Sequence, residues 1–208
     1  MNARGEIARR AARAPLRTIR TADLRDTYAY PRPEIRELER RGLLHRLAHG
    51  IYCAVPPEGD PQKWRPALEA ATAAVATSLY GDRVPVLTGL TAARMHRALP
   101  RAISVGYVAV PTRRRALRLA DRDGEVRFVT RAVSELDAVA MATELGQTLV
   151  TTVEQTVLDL ARADSRGEDL DTQQAIEALW PQCDPAVLEE IAGRQRMRAT
   201  LRRVAAGR

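Results

Sequence analysis

The chain has 208 residues, 45% hydrophobic and 28% charged, a balance that builds a core and excludes disorder throughout. Two cysteines, Cys53 and Cys183, are too few for a disulfide framework, and no uninterrupted apolar run approaches the ~18 residues of a membrane helix. MNARGEIARRAARAPLR lacks the apolar stretch of a secretory leader, so the expectation is a soluble, cytoplasmic protein with no membrane partner. The formal charge is +7, and its placement says more than its size. Residues 1–57 hold 12 arginines against 6 acidic residues, a net +6, whereas residues 58–208 come to +1. A basic head on a nearly neutral body points to a module that binds a polyanion.

In chain order, GEIARRAARA (5–14) reads as a basic helix stopped by Pro15, and the alternation from Leu16 to Arg20 as a short strand. Thr21 is placed to cap a helix over 22–28, with Leu24 and Tyr28 on one face. Pro31 and Pro33 each disfavour helical geometry in the residue before them, so Ala29–Pro33 is expected to turn. The helix EIRELERR then starts behind Pro33 and ends at Gly42. Two strand-like runs, Leu43–Leu47 and Ile51–Val55, flank Ala48-His49-Gly50. Helix, strand, helix, turn, helix, hairpin is the order of a winged helix-turn-helix, expected here as a DNA-binding domain over 1–57.

Pro56 to Pro61 reads as a linker. Over 58–208 the periodicity predicts a mainly helical domain with a small β-sheet, which makes the whole chain α+β. Helices are expected at Trp64–Tyr80, Ala92–Leu99, Thr152–Ala163, Asp171–Leu179 and Pro185–Val204, and strands at Val105–Val110 and Val126–Thr130.

The second helix of a helix-turn-helix lies in the major groove and must offer groups that reach base edges. With Ile35 and Leu38 turned inward, Arg36, Glu37 and Arg40 face outward, Arg41 stands at the edge and Arg32 just before the start. A guanidinium fork contacts guanine O6 and N7 together, worth ~1–3 kcal/mol of discrimination. Two roles stand open for Glu37: an acceptor for cytosine N4, or an intrahelical partner of Arg40 or Arg41. The hairpin would add His45, Arg46 and His49 near a phosphate or the minor groove, and amides at the start of the 22–28 helix could anchor another phosphate. A charge run such as ELERR is on most proteins a solvated face; the proline turn, the element order and the +6 excess together favour DNA.

Other chemistry is sparse. Lys63, the single lysine, starts a helix rather than sitting on a strand, and no Gly-rich phosphate loop, HRD segment or HExxH is present. No conventional kinase, nuclease or hydrolase site is expected, nor any catalytic residue or cofactor. Asp121, Asp123 and Glu125 bracket Gly124 and read as a hairpin turn. His45, His49 and Cys53 lack the fourth ligand of a closed zinc site, so no metal is expected. Arg113, Arg114, Arg115 and Arg118, with Arg122, form the densest basic patch of the second region, either a solvated loop or a surface for an acidic protein face or nucleic acid.

RRGLLHRLAHGIYCAVP (40–56) resembles the end of the winged helix of AbiEi-family antitoxins. TLVTTVEQTVLDLAR (148–162) is similar to a segment of that family's C-terminal domain, and LTGLTAARMH (87–96) resembles its run of small residues before a helix. The three follow the family's order, and the whole length resembles the mycobacterial MenA-type branch. Gln155-Thr156 departs from the Arg-Thr frequent there. The resemblance implies a type IV toxin–antitoxin antitoxin that represses its own operon at operator DNA and counteracts a cognate nucleotidyltransferase toxin that modifies tRNA. Arg113, Arg114, Arg115 and Arg118 are then candidates for the toxin contact. Promotion of toxin phosphorylation, or masking of the toxin without DNA binding, stand as alternative modes.

Overall fold

Apolar spacing in the first helix translates directly into packing. In the computed structural model, which describes residues 3–25, 27–28, 30–60 and 63–207, α1 spans Ala3–Arg13 and turns Ile7 and Ala11 inward. Pro15 stops it. A 3-10 turn, Pro15–Arg17, then carries two consecutive residues in left-handed geometry, Leu16 (φ 47°) and Arg17 (φ 53°). Such geometry costs a non-glycine residue roughly 1–3 kcal/mol and persists only where contacts impose it. Here Leu16 is buried among apolar residues of the second half of the chain, and Arg17 donates to the carbonyls of Ala54 and Val55.

Strand β1 covers Thr18–Arg20. The helix expected over 22–28 is corrected to a single 3-10 turn, Ala22–Leu24; Thr21 itself has helical angles and its side chain caps nothing. Only Leu24 and Tyr28 of that segment pack inward, too little apolar surface to offset a longer helix, and Asp26 lies outside the described residues. Helix α2, Pro31–Arg40, begins earlier than the prolines imply. Pro31 takes the first helical position and Pro33 still falls in the first turn, where amides have no intrahelical acceptor to lose. The expected turn over Ala29–Pro33 is therefore mostly helix, with Ala29 outside the described residues. Gly42 (φ 66°) reverses the chain after Arg41, as its position predicts. Strands β2, Leu44–Ala48, and β3, Ile51–Ala54, form the hairpin, with a register shift between Arg46 and Ala48 and Gly50 (φ 72°) in the turn. The sheet is antiparallel in the order β1-β3-β2. It covers a core of Ile7, Leu24, Ile35, Leu38 and Leu44.

Pro61 of the expected linker lies outside the described residues. Helix α3, Leu68–Tyr80, starts later than expected and is buried on every side from Leu68 to Thr77, so it is a central helix rather than a one-faced one. Around it run β4 (Val86–Leu87), α4 (Gly89–Met95), β5 (Val105–Val110), β6 (Leu117–Arg118), β7 (Glu125–Thr130), β8 (Ala138–Thr143) and β9 (Gly146–Thr151). The sheet has six strands in the order β6-β7-β5-β4-β9-β8, larger than the few strands expected. Gly106 lets α3 lie against β5: a Cβ there would sit 1.8 Å from Thr72 Oγ1. Helix α5, Val153–Ala163, is capped by Thr152, whose hydroxyl accepts the Gln155 amide. Helix α6, Leu170–Leu179, follows. The long helix expected over 185–204 is two, α7 (Pro185–Arg194) and α8 (Arg198–Ala206), separated where Arg196 turns left-handed (φ 58°).

One apolar cluster spans both halves of this mixed α+β chain. Leu16, Leu47, Ala48, Ile51 and Cys53 pack with the alanines of α3 and with Val108, Phe128 and Val150 of the six-stranded sheet. The Ala120 amide also donates to the Leu47 carbonyl at 2.9 Å. Among the described residues, no helix is long and apolar enough to cross a membrane.

Candidate nucleic-acid interface

Because Pro31, Ile35 and Leu38 anchor α2 to the core, its other side is presented outward. Arg32, Arg36, Arg40 and Arg41 are exposed. They do not act alike. Arg40 donates through Nε and Nη2 to the two Glu37 oxygens at 2.8 and 2.7 Å, so the intrahelical role is the one Glu37 takes in this structure. Arg32 and Arg36 lie one turn apart on the flank that faces the hairpin.

That flank forms one wall of a cleft of about 490 Å³. Arg32, Arg36 and Glu39 contribute from α2, and Arg46, His49 and Gly50 from the hairpin. Arg20 and Arg25, absent from the expected set, add to it from the β1 end; both lie in the segment read only for its helix and strand pattern. Arg20 is partly neutralised by Asp23, which accepts from its Nη2 at 2.6 Å. Tyr52 on β3 lies at the cleft's floor, 9% exposed. Burial pushes its phenol pKa up, while the nearby charges of Arg46, Arg36 and Arg32 pull it down and that of Glu39 raises it. Arg46 Nε is buried and has no hydrogen-bond partner among the described residues. A buried donor without an acceptor carries a desolvation cost.

The far wall comes from the second half of the chain: Leu79, Arg114 and Leu117. Two arginine groups separate in sequence are thereby joined through Arg114. Arg113 and Arg115 are exposed beside it, and Arg118 is exposed on β6, opposite Glu125 in register. Arg114 lies 6.0 Å from the centre of the Tyr80 ring.

His45 does not join the cleft. It faces Cys53 across the hairpin, as the turn position predicts, but its Nε2 is 2.9 Å from Asp121 Oδ2, and its ring meets Trp64 edge-on. The expectation of a phosphate contact is corrected: its ring is directed to the second sheet's β6–β7 turn. Burial alone would raise the Asp121 pKa, but hydrogen bonds from His45 and Arg122, with their charges, hold the carboxyl well below the usual range. Burial, with the Asp121 charge adding to it, pushes the Cys53 thiol up to about 12. The phosphate anchor expected at the start of a 22–28 helix is lost with that helix. Among the described residues no group of three or more His, Cys, Asp or Glu could hold a metal ion.

No curated protein shows significant similarity to the chain. A solved structure, that of the RV2827C protein from Mycobacterium tuberculosis, is similar with a TM-score of 0.52 at 18% identity, covering 90% of this chain and 70% of that one. At that identity the likeness is one of fold. Residues 5–55, which contain most of α1 and all of α2 and the hairpin, match the family model described as "Transcriptional regulator, AbiEi antitoxin". This amino-terminal segment, which carries most of the basic cleft, is thus similar to the AbiEi antitoxin transcriptional regulators.

Proposed function

We propose that the chain is a DNA-binding antitoxin that represses its own operon, with residues 1–57 as a winged helix and 58–208 as the unit that engages a nucleotidyltransferase toxin of the type IV, MenA-associated kind. The observation that carries the DNA reading is the cleft: α2, which lies between β1 and the hairpin, turns Arg32 and Arg36 toward Arg46 and His49, with Glu39 also lining it. In this reading α2 is the recognition helix and His49-Gly50 the tip of the wing. Arg36 reads a base edge, while Arg46, His49 and Arg41 hold phosphates. The sheet order β1-β3-β2 and the position of the family match support the winged-helix assignment.

Gel-shift titration of the chain on the DNA upstream of its own reading frame tests this. Arg36→Ala is expected to relax discrimination between that DNA and a scrambled duplex, and equal affinity of the wild type for both would remove the base-reading claim. Co-expression with the adjacent reading frame tests the antitoxin role: relief of growth arrest is the expected result. For the mode of neutralisation we favour masking over promoted phosphorylation. A phosphotransfer role needs a carboxylate available to a substrate, and Asp159, which lines a cleft of the second half with Thr88 and Arg131, has both oxygens engaged. Thr88 and Arg131 donate to it at 2.9 and 2.8 Å and Gln155 at 3.1 Å. An unchanged toxin mass after incubation with this protein and nucleotide is the expected outcome.

A further inference from the structure

We propose that the segment between β5 and β6 is part of the nucleic-acid interface, with Arg114 binding a backbone phosphate of the strand that α2 addresses. This rests on the DNA-binding reading above but adds a contact from outside the winged helix. Arg114 reaches the same cleft as Arg32, Arg36 and Arg46, although nearly seventy residues separate it from the nearest of them in sequence.

Its placement is fixed at both ends. The Tyr80 hydroxyl donates to the Thr112 carbonyl at 2.9 Å, holding the segment's start against α3, and the Tyr80 ring stands under the Arg114 guanidinium. At the other end Leu117 pairs with Val126 in the sheet. Arg114 is therefore presented by rigid elements rather than left on a free loop.

The chemistry of the cleft selects the ligand. Guanidiniums converging on one concavity repel one another. Phosphodiester oxygens relieve that repulsion. A strand offers phosphates in series, and cations line the cleft from α2 to the far wall, with Arg113 and Arg115 exposed alongside. An acidic protein face is the rival occupant, and the test separates the two.

The experiment is fluorescence anisotropy of the full chain on its own upstream duplex and on a scrambled duplex, over a series of salt concentrations. Arg114→Ala is expected to weaken both duplexes equally, roughly eightfold at 0.1 M salt, and to lower the salt slope by about 1, with the ratio between duplexes unchanged. Arg114→Lys is expected to restore most of the loss. Thermal midpoints of the variants, compared with wild type, establish that each is folded. If Arg36→Ala alters binding while Arg114→Ala leaves affinity and slope intact, this inference falls and the DNA-binding reading stands. Wild-type chain that binds neither duplex overturns both. Loss of co-purification with the adjacent gene product on Arg114→Ala, with DNA binding intact, assigns the segment to a protein partner and overturns the inference.

Discussion

The two halves of the chain use arginine in opposite ways. In α2, Arg32, Arg36 and Arg41 are exposed, and Arg40 is held only by a neighbour on the same helix. In the second half several arginines are built into the structure. Arg94 pairs with the buried Glu69, Arg122 with Asp121, and Arg131 with Asp159. Net charge per region therefore understates the contrast. The first half is basic because its arginines outnumber its acids two to one, and those of α2 face solvent; the second is nearly neutral in count, and several of its arginines pair with buried carboxylates. Buried carboxylates need such partners, whereas solvent-facing cations contribute little to stability and remain available to a ligand.

The contrast is most exposed by making the same substitution in both halves. Arg94→Ala leaves Glu69 buried without its partner and also removes donation to the carbonyls of Leu99 and Arg101. It is expected to cost about 3–5 kcal/mol, read as a lowered denaturation midpoint, and Glu69→Leu with Arg94→Met is expected to recover most of that. Arg36→Ala is expected to leave the same midpoint within error. A midpoint shift of similar size in both variants would erase the distinction.

The next effect tests how firmly the halves are joined. Leu16 sits in a strained left-handed turn of the first half but packs in the core of the second. Leu16→Ala keeps the backbone strain and loses the packing, an expected cost of roughly 2–4 kcal/mol. Should the halves be only loosely associated, the substitution would leave unfolding nearly unchanged.

Smaller again is the ion-pair joint at Asp121. Its folded pKa is depressed, so the stability it contributes is fully present above the unfolded value, about 3.9, and is lost as pH falls toward the lower folded value. Asp121→Asn is expected to cost roughly 1–3 kcal/mol at pH 7 and to flatten the acid limb of the stability profile below about pH 4. An acid limb identical to wild type would show that the pairing with His45 and Arg122 carries no stability.

These residues also show what could be read ahead of the structure. Helix α2 and its hairpin were legible because their signals are local: prolines at the start, Gly42 at the end, and Ile35 and Leu38 spaced for one face. The convergence of Arg32, Arg36, Arg46 and His49 follows from that local order. His45 was misplaced because its partner, Asp121, is 76 residues away. The same distance problem hid Arg114, whose route into the cleft runs through the packing of Tyr80. The β8–β9 hairpin was missed for another reason: AVAMATELGQTLVT is rich in small residues and strand burial is mixed, so neither a period of two nor one of 3.6 stands out. The shortened helix at 22–24 shows that a cap residue does not sustain a helix with so little apolar surface to pack: Thr21 caps nothing there.

The smallest expected effect concerns Glu37, where sequence left two roles open. If Glu37 accepts from a cytosine, Glu37→Gln disturbs that readout, and affinity for the chain's own upstream DNA falls while that for scrambled DNA does not. In the structure both Glu37 oxygens accept from Arg40, which withholds a guanidinium from the ligand. Removing the carboxylate charge then frees Arg40 for a phosphate. The expected outcome is a few-fold tightening on both duplexes and a salt slope steeper by up to about 1. Because the pair is an exposed neighbour contact on one helix, the thermal midpoint is expected to stay put. The sign of the affinity change on scrambled DNA separates the two roles: an increase assigns Glu37 to restraining Arg40, and no change, with loss on the specific site, assigns it to the base.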